Sequence, residues 1–365
     1  MYNYLDIEIK YNILIRGKLN MREQKITIQE CNPGDIIAKD VIDIRSGVVL
    51  CNQGHVLTEE SIAWLKKFLC SDIYIESNTW DKVWNISPET VETYETDKKK
   101  LEKTFVAVGS GKPIDKEVIN EINETFFEKL SDNSVIMGCV NLVKTLDEYT
   151  YTHSLNVGML SVLIGKWLGL EQNQLDDLFI AGMLHDAGKY KIDPRIINKK
   201  GRLDDREFAI VRKHAIESYN LVKDNPEISY AAKEGILSHH ERVDGSGYPR
   251  ELKGEEIHLF GRIIAIADTY DAMISERSYK KRQTPFEVME KMMSEGIDKL
   301  DAKILLIFLK NIANYYIGVH VTLSTGQIGE VVFMHPHCIY KPIVKVDDTY
   351  YDLDTRNDLK IIDMI

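Results

Sequence analysis

The chain has 365 residues, of which 44% are hydrophobic and 28% charged, and its formal net charge is −11. That length exceeds one ordinary core and predicts two or three domains of globular composition. The negative balance excludes a nonspecific binder of nucleic-acid polymers. It leaves room for a small anionic substrate, because metals and a few local cations can reverse the field inside one cleft.

Residues 1–24 lack the basic region, apolar core and small-residue cleavage site of a signal peptide. They read as an extension, with Met21 as an alternative start. No apolar run approaches the roughly 18 residues that span a bilayer, so no membrane span is expected. Cys31, Cys51, Cys70, Cys139 and Cys338 are odd in number and scattered, without a Cys-x-x-Cys pair, which points to a reducing cytoplasm.

Residues 25–80 carry strand-like runs cut by turns: KITIQE, the turn NPGD, IIAKDVIDI, then turns at RSG and NQG. TEESIAWLKKFL predicts a helix with Thr58 as its cap and Glu59 and Glu60 at its positive end. DIYIES predicts a closing strand, and together they make a small α+β accessory domain. Residues 81–130 are polar, include the charge run ETDKKKLEK, and predict a linker with a solvated helix. Residues 131–317 are helical, with helices near 174–188, 204–223, 227–240, 257–275, 285–295 and 302–316. Gly- and Pro-bearing loops such as YKIDPRIINKKG and VDGSGYPRELKG separate them. Residues 318–365 return to strands at VHVTLS, IGEVVFM, PIVKV, YYDL and KIIDMI. The fold class is mainly α: an all-helical domain flanked by a small N-terminal α+β domain and a small C-terminal β domain.

His185 and Asp186 close LDDLFIAGMLHDAGKY and continue the apolar stripe of Leu178, Phe179 and Gly182. A carboxylate and an imidazole buried together are costly unless paired or metal-bound. His153 lies on the inner stripe of its own helix. His214 shares a face with Val211, Ser218 and Leu221. His240 follows Ile236, and Asp268 follows Ile264, by one turn. Taken singly, each reads as readily as a packed core or surface residue. Together, five histidines and two aspartates exceed one tetrahedral site and fit two divalent ions sharing Asp186. His153, His185, Asp186 and Asp268 would hold one ion; His214, His239, His240 and Asp186 would hold the other. A helix end lets the adjacent His239 and His240 reach one ion. Imidazole and carboxylate without thiolate point to Fe or Mn, with Zn as a third candidate.

The series His153, His185-Asp186, Asp268 resembles the HD phosphohydrolase superfamily. HDAGK, KHA, SHHERVDGSGYP and IADTYDAM together resemble the HD-GYP family of cyclic-di-GMP phosphodiesterases, over about half the chain. The resemblance implies an HD-type catalytic domain and hydrolysis of cyclic di-GMP to pGpG, GMP or both by a hydroxide held between two metals. It implies phosphate contacts from Arg277 and Lys280, although Ser278 stands where the family commonly has proline. Lys189, one turn beyond His185, would neutralise the scissile phosphate beside Asp186. Some family members hold a third ion with a glutamate one turn before the first histidine. Tyr149 stands there in this chain and Glu148 is one position off, so two ions are expected. The loop of Gly245, Gly247, Tyr248 and Pro249 is open between a cleft rim and a docking surface for diguanylate cyclase partners. A homodimer is equally open. His55, His258, His320, His335 and His337 show no carboxylate constellation and are expected to be structural or exposed. Two competing functions stand beside the main one: an HD-type hydrolase of another cyclic dinucleotide or nucleotide, and a non-catalytic nucleotide-binding scaffold.

Overall fold

The computed structural model describes residues 22–142, 149–275 and 283–364, apart from residues 29–30, 32–34, 43–48, 54, 56, 69–71, 78–86, 198 and 200. The N-terminal part contains β1 (Arg22–Thr27), β2 (Ile36–Ile37), β3 (Val41–Ile42), β4 (Val49–Cys51), α1 (Glu59–Leu65) and β5 (Asp72–Ser77). β5 lies between β1 and β2 in an antiparallel sheet, while β3 pairs with β4. The run IIAKDVIDI, expected as one strand, is therefore split, because β2 and β3 join different sheets. Thr58 caps α1 by accepting the Ser61 N–H at 3.1 Å. Ile37, Leu57, Leu65 and Ile73 belong to a core separate from that of the helices.

The solvated linker expected before residue 131 is instead part of the main core. α2 (Pro88–Gly109) starts where Ser87 accepts the Thr90 N–H and Pro88 takes the first helical position, where a missing N–H costs nothing. Tyr94, Leu101, Phe105 and Val108 recur at helical spacing and are buried against the other helices. Asp97 and Lys98, in the middle of the charge run, are buried as well. Counting charges hid an apolar stripe lying between them. α3 (Lys116–Thr125) and a π-turn at Phe126–Leu130 follow, and Phe126 stacks on Phe179 with ring centroids 4.1 Å apart.

The helical part continues with α4 (Asn133–Leu142), α5 (Tyr149–Trp167), α6 (Gln172–Leu184), a 3₁₀ turn (Ala187–Lys191) and the short α7 (Pro194–Ile197). α8 (Asp205–Val211), α9 (His214–Val222), α10 (Tyr230–Ser238), α11 (Leu259–Ile274), α12 (Pro285–Glu295) and α13 (Ala302–Asn314) complete it. α5 is the central helix. Every residue from 152 to 165 is buried, and it packs on α2, α4, α6, α11 and α13. A helix apolar on all sides belongs in an interior. A Cβ added at Gly182 would lie 2.8 Å from the Gly158 Cα, so α5 and α6 cross backbone to backbone. That crossing brings the His153 and His185 rings to 5.2 Å between centroids.

Two expected helices are broken, and both breaks matter for the site. The helix near 174–188 ends at Leu184 and tightens into the 3₁₀ turn. The helix near 204–223 divides between Val211 and His214. After α13, β6 (His320–Leu323), β7 (Ile328–Phe333), β8 (Ile343–Val346), β9 (Thr349–Asp352) and β10 (Ile361–Met364) form an antiparallel sheet in the order β10-β6-β7-β8-β9. Its inner residues Val321, Leu323, Val331 and Val344 join the core of the helices. Among the described residues, no helix is long and apolar enough to cross a membrane.

Candidate metal centre

Three histidines sit at helix boundaries. His185 ends α6, His239 ends α10, and His214 opens α9 just after α8 stops. In each, Nδ1 donates to the carbonyl three residues earlier: Gly182 O, Val211 O and Ile236 O, each at 2.7 Å. Helix ends leave such carbonyls unpaired. A carbonyl only accepts, so Nδ1 carries the hydrogen and the neutral ring keeps a lone pair on Nε2. The two helix breaks and the end of α10 thus aim three Nε2 lone pairs outward.

Those lone pairs converge. Ligand atoms of Asp186, His214, His239 and His240 all lie within 4.8 Å of one another, and so do those of His153, His185 and Asp268. Asp186 faces both groups. Its Oδ2 is 3.4 Å from His185 Nε2 and 3.6 Å from His153 Nε2, and its Oδ1 is 3.2 Å from His214 Nε2. Asp268 Oδ1 is 3.1 Å from His153 Nε2, and its Oδ2 is 4.0 Å from His240 Nδ1. All seven residues marked in the sequence are therefore in one place. The 3₁₀ turn achieves part of this. Gly188 presses on α9 so closely that a Cβ would lie 2.3 Å from His214 O, and its N–H donates to Ser218 Oγ at 2.8 Å.

The donor set fits divalent cations. His214 Nε2 is 3.3 Å from His239 Nε2, two lone pairs at hydrogen-bond distance with no proton between them. His185 Nε2 and Asp186 Oδ1 are buried with no hydrogen bond among the described residues. Burial pushes His214 down to about 4 and holds His239 and His240 well below the usual imidazole range, so all three are neutral near pH 7. Burial would raise Asp186, but the Lys189 ammonium beside it outweighs that and keeps the carboxylate ionised. Burial likewise opposes the ionisation of Asp268, and His153 and its neighbours overcome it. Against the pull of burial, Asp268 and Asp271 hold His153 up to about 9, so a cation bound at its Nε2 would displace a proton. With the neutral His214, His239 and His240 and two buried carboxylates around it, the donor set suits a divalent cation.

Lys189 Nζ donates to Asp186 Oδ2, on the face of the carboxylate turned towards His153 and His185. Arg277 and Lys280 lie outside the described residues, as does Glu148, and nothing is described of the Tyr149 side chain. Tyr248 packs its ring on His240 at 4.7 Å, and the Arg212 guanidinium lies over that ring at 4.5 Å. Glu241, also buried, accepts the N–H groups of Arg250 and Leu252 at 2.7 and 3.1 Å and pins the glycine-rich loop. Tyr248 is one of the loop residues marked in the sequence, whereas Arg212, Glu241 and Asp271 are not; Asp271 accepts His153 Nδ1–H at 2.8 Å. Asp271 stands three residues after Asp268 on the same helix face, a spacing that would have marked it. Two of the histidines set aside do have carboxylate partners: His335 Nε2 is 2.9 Å from Asp352, and His337 Nε2 is 3.1 Å from Asp354. These pairs form only when β9 folds beside the loop after β7. His258 caps α11 by accepting the Phe260 N–H at 3.2 Å.

Residues 139–304 match the HD domain family. A cyclic di-GMP phosphodiesterase of Pseudomonas aeruginosa is 36% identical over 225 residues, 62% of this chain and 54% of that protein. The 3'3'-cGAMP-specific phosphodiesterase 1 of Vibrio cholerae is 35% identical over 50% of this chain and 42% of its own length. A cyclic di-GMP phosphodiesterase of Thermotoga maritima is 34% identical over 53% of each chain. The chain thus spans about half the length of these curated relatives.

Proposed function

We propose that this chain is a metal-dependent phosphodiesterase that hydrolyses cyclic di-GMP in the cytoplasm to pGpG, GMP or both. Asp186 carries the reading. One oxygen faces His153 and His185 and the other faces His214, the arrangement of a carboxylate shared by two ions. In this reading His153, His185 and Asp268 complete one site, and His214, His239 and His240 complete the other. Two divalent ions, Fe or Mn before Zn, would supply an activated water and neutralise charge developing at phosphorus.

The protein's own residues do the rest. The backbone carbonyls at residues 182, 211 and 236 hold three imidazoles in the tautomer that presents Nε2. Lys189, already on Asp186, lies where a phosphate oxygen would meet both a cation and an ammonium. Arg277 and Lys280 would hold further phosphate oxygens. Arg212, stacked on Tyr248, has no ion pair among the described residues and adds a fourth cation at the rim. The Tyr248 ring against His240 favours the cleft-rim role of the Gly-Tyr-Pro loop over a docking surface for cyclases.

A second reading, hydrolysis of 3'3'-cGAMP, is favoured by the Vibrio cholerae relative, which is as similar over its match as the others. Turnover of a panel of cyclic dinucleotides by anaerobically purified full chain, with metal analysis of the same sample, tests both. Cyclic di-GMP should be consumed fastest, and chelation should stop the reaction. Binding of the panel without turnover in the metal-loaded protein would make the chain a scaffold instead.

A further inference from the structure

A line of buried hydrogen bonds runs out of the metal centre and leaves the segment that matches the HD domain family. His153 donates Nδ1–H to Asp271 Oδ2 at 2.8 Å, and Asn156 Nδ2 donates to Asp271 Oδ1 at 2.9 Å. Tyr94 in turn donates its hydroxyl hydrogen to Asn156 Oδ1 at 2.9 Å. His153 and Asn156 are on α5, Asp271 is on α11, and Tyr94 is on α2. All four are buried, Asn156 and Asp271 completely. Tyr94 precedes Asn156 by 62 residues and lies outside the matched residues 139–304.

We infer that Tyr94 is a positioning residue for the metal centre, acting through Asn156 and Asp271 on His153. This rests on the metal reading above. Each step constrains the next. The carboxylate of Asp271 has both oxygens engaged, so it cannot rotate away from His153. Its bond fixes the imidazole hydrogen on Nδ1 and leaves Nε2 for a cation, the usual role of a carboxylate behind a metal-binding histidine. Asn156 does this only in one amide orientation. Flipped, it would aim a carbonyl oxygen at the Asp271 carboxylate. Tyr94 selects the orientation, because a phenol hydroxyl here donates and only the amide oxygen can accept. α2, which reads in sequence as a tether, is thereby part of the metal centre. Movement of α2 would be felt at His153.

The experiment is Mn²⁺ titration of the full chain by calorimetry, with metal content after dialysis and circular dichroism on every variant. Asp271→Asn should weaken one Mn²⁺ site by about 10–100-fold and leave the other unchanged. Tyr94→Phe, which removes one oxygen and keeps the ring, should weaken the same site about fivefold, the equivalent of about 1 kcal/mol. The double variant should bind no more weakly than Asp271→Asn alone, because the two changes break one line. Tyr316→Phe removes another buried hydroxyl, 2.7 Å from that of Tyr270, and should leave Mn²⁺ affinity unchanged. Wild-type affinity in Tyr94→Phe, or additive losses in the double variant, would overturn the relay and leave the metal reading standing. A folded wild-type chain that binds no divalent ion would overturn both.

Discussion

At the scale of single residues, the chemistry rests on donors whose protonation is set by what lies behind them. His185, His214 and His239 present lone pairs because carbonyls hold their other nitrogens. Asp186 is the residue most exposed to test. If it serves both ions, Asp186→Ala should lose both metals and lower turnover by more than about a hundredfold, since outer partners alone are worth 10–100-fold. Asp268→Ala should mainly empty the ion beside His153. Metal counting on the dialysed variants separates the two, and two ions retained in Asp186→Ala would refute the bridge. Asp97 makes a different prediction. Burial pushes its carboxyl up to about 6 despite Lys100, and its Oδ2 has no hydrogen bond among the described residues. A carboxyl raised in the folded state costs stability only where it is ionised. Above pH 6 that cost reaches about 2–3 kcal/mol, and it disappears as the pH falls below the ordinary carboxylate range. Asp97→Asn should raise the melting temperature at pH 8, with the gain fading towards pH 4. An equal gain at both pH values would count against a charge effect.

At the scale of elements, the breaks in helices do more for function than the helices themselves. Continuous helices over 174–188 and 204–223 would offer no free carbonyl at residues 182 and 211 to hold His185 and His214. The 3₁₀ turn after Asp186 also needs Gly188, which touches α9 at a distance no Cβ could occupy. Gly188→Ala should cost about 1–3 kcal/mol of stability by overpacking. It should also separate Asp186 from His214 and weaken Mn²⁺ binding. Thermal melts with and without Mn²⁺ check this: a variant as stable as wild type in both conditions would contradict the contact. The spacing of Leu178, Phe179 and Gly182 marks the buried face of α6 correctly in the sequence. Where α6 ends is not readable there, because the 3₁₀ turn is held by Ser218 from another helix.

At the scale of the whole molecule, α2 and α3 share one core with the later helices, while β1 to β5 and α1 have their own. A chain starting at residue 87 should therefore fold and bind Mn²⁺ with near wild-type affinity. One starting at residue 131 loses Tyr94, Leu101 and Phe105 and should lose cooperative melting. Equal stability of the two would assign α2 to a tether after all. The sequence alone was sufficient for the candidate ligands and the mainly helical class. Seven His and Asp residues repeat on apolar stripes, and the motif SHHERVDGSGYP is locally specific. Periodicity reports burial and not partners, so it could not reveal that the charged segment before residue 131 packs inward. Nor could it reveal that Tyr94 meets Asn156, or that His335 and His337 meet Asp352 and Asp354. Those contacts join residues far apart in the chain. They exist only once helices cross and strands pair, since hydrogen bonds need atoms within about 3 Å, and only the tertiary structure sets that distance.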